Sequence, residues 1–355
     1  MNKDTIFIPL NGFDEKELLV TVESAVKNSD NPDRLFFGIY EQRTDGKFED
    51  FSEFENVKHV KVLTENLLGT GLARLNAYYL NNGERYCLCV DAHTVFNKGW
   101  DTYIVEYLKN LKSYADKPII SYRIPDFIRD ENNQIVKMKS IIGNTGQYIQ
   151  TFGRSTLALE LESHISESGV SYSSIVIKDV DYENSLVHDN DDYINKVHTD
   201  IDRRVSGVVE HYIISGNFLF AETSFLSECV WDPEIFFYGE EEAISLRAVS
   251  RGYRIFVPDI NYFYHKGKDF DENGFNYEDG EPSWRWLVGK RSEKFSDNEI
   301  KIDDVMNRFS SRLHRILSGK EFGYWGASDE ESFRYFESKV GLKLSDVLID
   351  LEESY

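Results

Sequence analysis

The strongest constraint on the fold is a regular alternation of strand-like and helix-like segments in the first third of the chain. Short apolar runs predict strands at Thr5–Leu10, Arg34–Tyr40, Val57–Leu63, Tyr86–Val90 and Pro118–Tyr122. Amphipathic segments between them predict helices at Glu15–Asn28, Gly69–Leu80 and Trp100–Tyr114. Strands that alternate with helices in this way form a doubly wound parallel sheet. We therefore expect an α/β fold with a mainly parallel central sheet and helices on both faces.

Composition and charge narrow the class of protein. The chain has 355 residues, of which 41% are hydrophobic, enough for a large core. No run approaches the roughly 18 apolar residues of a membrane span, so we expect no membrane contact. Cys87, Cys89 and Cys229 show no disulfide pairing pattern, and we expect Cys87 and Cys89 in the core. Unpaired cysteines indicate a reducing compartment, so we expect a cytoplasmic protein, located in the host cytoplasm if the chain is viral. A formal net charge of −22 disfavours a broad nucleic-acid or membrane face.

The strand Tyr86–Val90 ends at Asp91-Ala92-His93, which carries the clearest chemical signal. Ligands of open α/β sheets bind outside the carboxyl ends of the strands. Asp91 and His93 are two residues apart, so in an extended segment both side chains can bind one cation. A carboxylate with an imidazole suits Mn²⁺ better than Mg²⁺, and such a metal can neutralise a departing diphosphate. His265, near the end of a later strand, would complete a set of two histidines and one carboxylate. The alternatives are that Asp-x-His occurs here by chance or caps a helix, and that His265 is structural, as a lone histidine more often is.

Two helix starts are further candidates. Gly69–Arg74 opens a helix whose free N–H groups suit an anion, with Arg74 as a charged donor; the alternative is a glycine turn with Arg74 paired to a surface acid. Gly239–Glu242 begins another helix, where acidic residues stabilise the helix dipole. In the functional interpretation, these carboxylates instead face an acceptor hydroxyl, and the aromatic residues Phe236–Tyr238 before them form a pocket wall.

The later part of the chain is less regular. From Asp126 to Glu210 the sequence is polar and poorly periodic, so we expect irregular, substrate-facing loops. Near the C-terminus, Arg308, Arg312 and Arg315 fall at helical spacing on one face. Such a face is usually solvated, but it can also bind a diphosphate or an anionic acceptor.

The motifs, taken in order, carry a resemblance to one enzyme family. They are Phe37–Gln42, Gly69–Arg74, Asp91–His93 with Trp100-Asp101, Ser215–Ala221, Trp231–Pro233, Phe237–Glu241, Arg247, Gly252-Tyr253, Pro258, His265, Arg308–Arg315 and Phe333–Leu344. This ordered set resembles the retaining GT-A glycosyltransferases that transfer N-acetylglucosamine to protein hydroxyls. It is most similar to the cytosolic family that modifies hydroxyproline in the Skp1 adaptor, and more distantly to the polypeptide N-acetylgalactosaminyltransferases.

The resemblance implies a GT-A fold with a C-terminal helical extension. Residues 1–125 would form the nucleotide-sugar-binding half and residues 126–270 the acceptor-side half, with a variable insertion at 126–210; residues 271–355 would form the extension. It assigns Asp91, His93 and His265 as metal ligands and Glu240 and Glu241 as acceptor-side catalytic acids. The residues expected to bind the donor are Pro9, Asn11, Glu41, Gly71, Arg74, Asp91 and Arg312. The segment Pro9–Phe13, with an expected turn at Asn11-Gly12, departs from the Ser/Ala-rich turn and Tyr-Arg of the family.

The expected function is metal-dependent transfer of a hexosyl, N-acetylhexosaminyl or pentosyl group from a nucleotide sugar to a hydroxyl acceptor. By the resemblance, the donor is UDP-linked and similar to UDP-GlcNAc, the metal is Mn²⁺ or Mg²⁺, transfer retains the anomeric configuration, and the acceptor is a protein side chain. One alternative keeps this chemistry with a hydroxymethylated base of viral DNA as acceptor. The other is a non-catalytic sugar-nucleotide-binding module.

Overall fold

A computed structural model describes residues 4–64, 69–122, 124, 126–129, 135–137, 147–150, 156–165, 171–180, 209–236, 239–258, 261–266, 270–271, 274–275, 302–340 and 343–345. The helices within them are α1 (Leu18–Asn28), α2 (Thr70–Tyr78), α3 (Trp100–Leu111), α4 (Ser224–Glu228), α5 (Glu240–Ser250), α6 (Ile302–Leu317) and α7 (Glu330–Val340), with a short 3-10 helix at Pro32–Arg34. The strands are β1 (Ile6–Phe13), β2 (Leu35–Arg43), β3 (Val57–Leu63), β4 (Tyr86–Val90), β5 (Thr94–Phe96), β6 (Lys117–Ser121), β7 (Asp126–Arg129), β8 (Ile135–Lys137), β9 (Gln147–Gln150), β10 (Thr156–Ile165), β11 (Ser171–Val180), β12 (Val209–His211), β13 (Phe218–Glu222), β14 (Tyr253–Val257), β15 (Phe263–Lys266), β16 (Phe270–Asp271) and β17 (Gly274–Phe275). None of the described helices is long and apolar enough to cross a membrane.

An eight-stranded sheet forms the centre of the fold, in the order β12-β14-β6-β13-β4-β1-β2-β3. β1 pairs parallel with β2 and β4, β2 pairs parallel with β3, and β6 pairs parallel with β14. Within this sheet, β12 and β13 run antiparallel to their neighbours. The predicted α/β fold with a mainly parallel sheet is confirmed, and β4 lies near its middle.

Alternate side chains of the central strands build two hydrophobic cores, one on each face of the sheet. In β4, Tyr86, Leu88 and Val90 enter the core that α1 and α3 cover. Cys87 and Cys89 enter the opposite core, which α5 covers together with the C-terminal helices α6 and α7. Burial on both faces explains why this strand is an unbroken apolar run in the sequence. The prediction of helices on both faces is confirmed, and Cys87 and Cys89 are buried free thiols, as expected.

Two local predictions are wrong. β1 does not turn at Asn11-Gly12 but continues to Phe13, because its parallel pairing with β2 extends over all eight of its residues. The segment 126–210 is not wholly irregular, since β10 and β11 pair antiparallel along 10 residues each. Leucines at alternate positions of β10 are a strand signal that the polar composition of the segment obscures.

Candidate active site

The end of β4 and the pairing of β5 with β15 bring the three predicted metal ligands together. β4 ends just before Asp91, so Asp91 and His93 lie at the carboxyl edge of the central sheet. The next strand, β5, pairs antiparallel with β15 and places His265 opposite Thr94, the residue after His93. The backbone N–H of Lys266 donates to the carbonyl oxygen of His93 at 2.9 Å. As a result, one ligand atom from each of Asp91, His93 and His265 lies within 4.8 Å of the others.

The chemistry of this donor set fits a divalent transition metal. Nε2 of His93 lies 2.8 Å from Nε2 of His265, which in turn lies 3.3 Å from Oδ2 of Asp91. On the other side of its ring, Nδ1 of His93 lies 2.9 Å from Oε2 of Glu15. A proton on Nδ1 that is donated to this carboxylate leaves the Nε2 lone pair facing the cluster. Two imidazoles and a carboxylate, all half-buried, are ligand types that Mn²⁺ binds.

Glu15 contacts the candidate metal ligand His93, and the sequence did not indicate this contact. It lies 78 positions before His93, and no spacing pattern connects the two. Burial alone would raise the pKa of the Glu15 carboxyl, but the hydrogen bond with His93, the charge of His93 and hydrogen bonds from the local backbone together lower that pKa below its ordinary value. Glu15 therefore stays ionised and orients the His93 ring, the usual role of a carboxylate behind a histidine ligand.

Substituting Glu15→Gln should weaken Mn²⁺ binding by roughly 10- to 100-fold, because the His93 ring loses its charged orienting partner. Isothermal titration of the protein with MnCl₂ measures this. Glu23→Gln is the matched control, since Glu23 is an exposed carboxylate in the neighbouring helix α1. Equal Mn²⁺ affinities in the wild type and the Glu15 variant would contradict the assigned role.

Arg74 links the candidate metal ligands to the acidic start of α5. Its guanidinium lies 3.1 Å from Oδ1 of Asp91 and 3.7 Å from Oε1 of Glu240, and its Cζ atom lies 4.7 Å from the centre of the Trp231 ring. The side chain is buried, so the alternative of a surface ion pair for Arg74 is wrong. Burial would raise the pKa of Asp91, but the hydrogen bond with His265 and the charge of Arg74 hold it well below its ordinary value. Asp91 is thus a carboxylate at neutral pH.

The start of α2 packs against protein backbone. The N–H of Thr70 donates to the carbonyl oxygen of Phe236 at 2.6 Å, so this group is already used. A Cβ atom on Gly71 would lie 2.1 Å from the carbonyl oxygen of Asp232, which leaves no room for a larger residue. Gly71 is therefore required for the close approach of α2 to the 231–236 segment, and its contact with a donor phosphate stays a prediction.

Glu240 and Glu241 open α5 beside Arg74. Glu241 accepts a hydrogen bond from the backbone N–H of Gly216, with an N–O distance of 2.5 Å. A Cβ atom on Gly216 would lie 3.0 Å from the Glu241 carboxylate and 3.4 Å from both Arg74 and Glu240. Glu240 is buried, and its Oε2 atom has no hydrogen-bond partner among the described residues. The two acids and the arginine therefore meet around a single glycine, whereas Phe237 and Tyr238, expected as a pocket wall, lie outside the described residues.

Burial raises the pKa of Glu240 to about 8, and the charge of Arg74 only partly opposes this shift. The folded protein therefore holds a proton on Glu240 that the unfolded chain releases near 4.5, so this group's stabilising contribution falls as pH rises towards about 8. Residue 240 cannot ionise in a Glu240→Gln variant. The free energy of unfolding of this variant should therefore rise relative to that of the wild type as the pH increases from 4.5 to about 8. Urea unfolding with a chelator present measures the difference, with the exposed Glu234→Gln as control. Parallel pH profiles for the wild type and Glu240→Gln would contradict the shift.

Three further residues predicted to contact the donor lie in β1 and β2. Pro9 and Asn11 lie within β1, paired with β2. Glu41 is fully buried, and its carboxylate contacts Nε of Arg43 at 2.5 Å and Nε2 of His59 at 2.8 Å. Since ion pairs already use this carboxylate, a direct contact of Glu41 with the donor stays a prediction.

The three arginines of the basic helix do not form one solvated face. Arg308 and Arg315 are exposed, whereas Arg312 is only 6% exposed. Nε of Arg312 lies 2.9 Å from Oδ2 of Asp232, and its Nη1 atom lies 3.0 Å from Oε1 of Glu321. The predicted donor contact of Arg312 is untested, and two carboxylates already balance its charge.

The comparisons with known proteins give one family. The model described as Glycosyltransferase (GlcNAc) matches residues 47–273, more than half of the chain. The match contains Asp91, His93 and His265 as well as both helix starts of the site. No curated protein sequence matches the chain.

Among solved structures, the chain is similar to GalNAc-T7 in complex with UDP, GalNAc and Mn²⁺, with a TM-score of 0.46 and 14% identity. That alignment covers 98% of this chain and 56% of the GalNAc-T7 chain, so the present chain spans just over half of that protein. It is also similar to S. aureus TarS 1-349 in complex with UDP-GlcNAc, with a TM-score of 0.40, 14% identity, and coverage of 88% of this chain and 73% of the other. At this distance, neither likeness extends to function.

Proposed function

Because the chain belongs to the GlcNAc glycosyltransferase family, we propose that it transfers a sugar from a UDP-linked donor to a hydroxyl group with the help of a divalent metal ion. The observation that carries this proposal is the convergence of Asp91, His93 and His265 at the carboxyl edge of the sheet. The α/β sheet and the family together agree with the GT-A fold class expected from the sequence. The narrower Skp1-type assignment stays a prediction.

The donor half of the site consists of strand ends and the start of α2. Asp91, His93 and His265 would hold Mn²⁺, which supplies positive charge to a departing diphosphate. Arg74 keeps the Asp91 carboxylate oriented through the ion pair at 3.1 Å. The side chains or backbone of Pro9, Asn11, Glu41 and Gly71 are proposed to bind the nucleotide, because the carboxyl ends of parallel strands are where ligands of such sheets bind.

On the acceptor side, Glu241 is proposed to orient the attacking hydroxyl. Its carboxylate is fixed by the hydrogen bond from the Gly216 amide. A carboxylate held in one position can hold the attacking hydroxyl in place, which lowers the entropy cost of the reaction. With retention of configuration, the hydroxyl attacks from the side of the leaving group, and its proton passes to an oxygen of the departing phosphate. Glu240 is buried beside Arg74, 3.7 Å from its guanidinium, and is proposed to shape the acceptor-side wall of the site. In this scheme no covalent sugar–enzyme intermediate forms.

We propose a protein side chain as the acceptor. A net charge of −22 opposes contact with a polyanion, and the burial of Arg312 leaves only Arg308 and Arg315 exposed among the three arginines of the basic helix. Duplex DNA binding at physiological salt, with a log–log slope near −0.9 for each phosphate contacted, would instead support a modified DNA base as acceptor.

Turnover of a panel of nucleotide sugars tests the proposed function. The protein is incubated with each donor and with Mn²⁺ or a chelator, and mass spectrometry follows release of the free nucleotide and transfer to hydroxyproline- and serine-containing peptides. We expect release from a UDP-linked donor only when metal is present. Tight UDP-sugar binding without turnover on any acceptor would favour a non-catalytic binding module.

A further inference from the structure

We propose that Arg312 is a positioning residue that holds Arg74 in place through the buried Trp231-Asp232 segment. This inference rests on the proposed glycosyltransferase function, because Arg74 lies between Asp91 and Glu240 of that site. Arg312 belongs to α6, in the C-terminal extension. The extension would then be part of the catalytic machinery.

The first link is the ion pair between Arg312 and Asp232. Nε of Arg312 lies 2.9 Å from Oδ2 of Asp232, and Asp232 is only 1% exposed. The other side of the guanidinium pairs with Glu321 and lies over the Trp325 ring at 5.4 Å. Separating the partners of such a buried pair would leave two uncompensated charges, which is costly. Each side chain therefore holds the other in a fixed position.

The second link runs from the 231–232 segment to Arg74. Trp231 is fully buried, and its indole N–H donates to the hydroxyl of Tyr78. The guanidinium of Arg74 stacks on the indole ring, which attracts cations through its π-electrons. Because the Asp232 carbonyl touches Gly71, three residues before Arg74, the segment cannot shift without displacing the start of α2.

The residue after Arg312 makes a second contact with the site. A Cβ atom on Gly239 would lie 2.5 Å from Cδ2 of Leu313, so this leucine packs directly on the start of α5. Gly239 immediately precedes Glu240 and Glu241. Helix α6 therefore contacts both the support of Arg74 and the helix start that carries the acidic pair.

The sequence predicted a different role for Arg312, direct binding of the donor diphosphate. A diphosphate ligand needs positive charge that other groups have not already balanced. Asp232 and Glu321 both lie within 3.0 Å of Arg312, and Oε2 of Glu234 lies 3.7 Å from it. These contacts favour the positioning role.

Kinetics of Arg312→Gln test the proposal, with Arg315→Gln as the matched control. Arg315 lies one turn later on α6 and also pairs with Glu321, but its side chain is half-exposed. We expect kcat to fall by roughly 10- to 100-fold in Arg312→Gln, because a small displacement of a catalytic group has effects of this size. The KM for the nucleotide sugar should stay unchanged. The control should behave as the wild type.

A second readout is independent of activity. Nε of Arg74 is buried and has no hydrogen-bond partner in the part of the chain that the structure describes, so its N–H signal in ¹⁵N-arginine NMR spectra reports on its immediate surroundings. We assign the signal by its loss in Arg74→Lys. It should shift in Arg312→Gln and stay in place in Arg315→Gln. If the wild type turned over no nucleotide sugar, the proposed function would fail, and this comparison would still decide whether Arg312 positions Arg74.

The double variant Arg312→Gln/Asp232→Asn protects the test against misfolding, because it leaves no lone buried charge. Its kcat should be no lower than that of Arg312→Gln, since the two residues act as one unit. A raised KM with an unmoved Arg74 signal would show that Arg312 binds the donor and would overturn the proposal. A lower Tm with unchanged kcat per folded molecule would also overturn it, because the pair would then serve stability alone.

Discussion

An Asp91→Asn variant should lose sugar transfer by about 10³-fold or more, because the stabilisation of a departing diphosphate by the proposed metal ion is worth several kcal/mol. The amide has the size of the carboxylate but lacks the charge that balances the cation. It also lacks the full negative charge that Arg74 contacts at 3.1 Å. The rate is measured as release of free nucleotide, and Mn²⁺ affinity is measured by calorimetry on the same preparation.

His314→Gln is the control for substitutions of the candidate metal ligands. His314 is half-buried on α6 and lies outside the group formed by Asp91, His93 and His265. It should bind Mn²⁺ and transfer sugar at the wild-type level, whereas His93→Gln should resemble Asp91→Asn. If Asp91→Asn kept both its turnover and its dependence on Mn²⁺, the metal would have to bind elsewhere.

For the acceptor side, a Glu241→Gln variant should transfer sugar roughly 10²-fold more slowly, the usual scale for loss of a positioned catalytic group. Gln keeps the side-chain size and can still accept the hydrogen bond from the Gly216 amide. Only the negative charge at the proposed acceptor hydroxyl is lost, so UDP affinity should change little. Initial rates and UDP titrations separate the two effects.

Glu242→Gln separates this role from a general effect on the helix. Glu241 and Glu242 both lie in the first turn of α5, where each carboxylate stabilises the helix dipole. Loss of dipole stabilisation would lower the Tm of both variants and leave the rate per folded molecule intact. A slow rate confined to Glu241→Gln is the expected outcome, and equal rates in the two variants would exclude the catalytic assignment.

Much of the fold follows from local sequence patterns. β4 matches its predicted bounds because five apolar residues in a row can be buried on both faces of a parallel sheet. β1 was harder to delimit, because Asn11-Gly12 favours a turn in isolation and only hydrogen bonding with β2 carries the strand on to Phe13. Pairing between distant segments thus overrode a local preference.

The candidate site likewise contains residues that the sequence indicates and residues that only the structure identifies. Asp91 and His93 are visible in the sequence because they follow one strand at a spacing of two residues. Glu15 is not visible, since its contact with His93 arises from the packing of a loop 78 residues earlier in the chain. For Arg312 the sequence pattern was misleading, because helical spacing placed this residue on a basic face with Arg308 and Arg315. The structure instead buries Arg312 against its ion-pair partner Asp232.

The sequence by itself determined the strand and helix types, the mainly parallel sheet and the chemical nature of the candidate metal ligands, because periodicity and residue chemistry are local properties. The tertiary structure alone decided which charges meet. His265 reaches His93 through the antiparallel pairing of β15 with β5. Arg74 comes to lie between Asp91 and Glu240, residues far apart in the chain, because α2 and α5 both begin at the carboxyl edge of the sheet. Electrostatic and hydrogen-bond partners depend on distance in space, which no single-sequence pattern encodes when the partners are far apart in the chain.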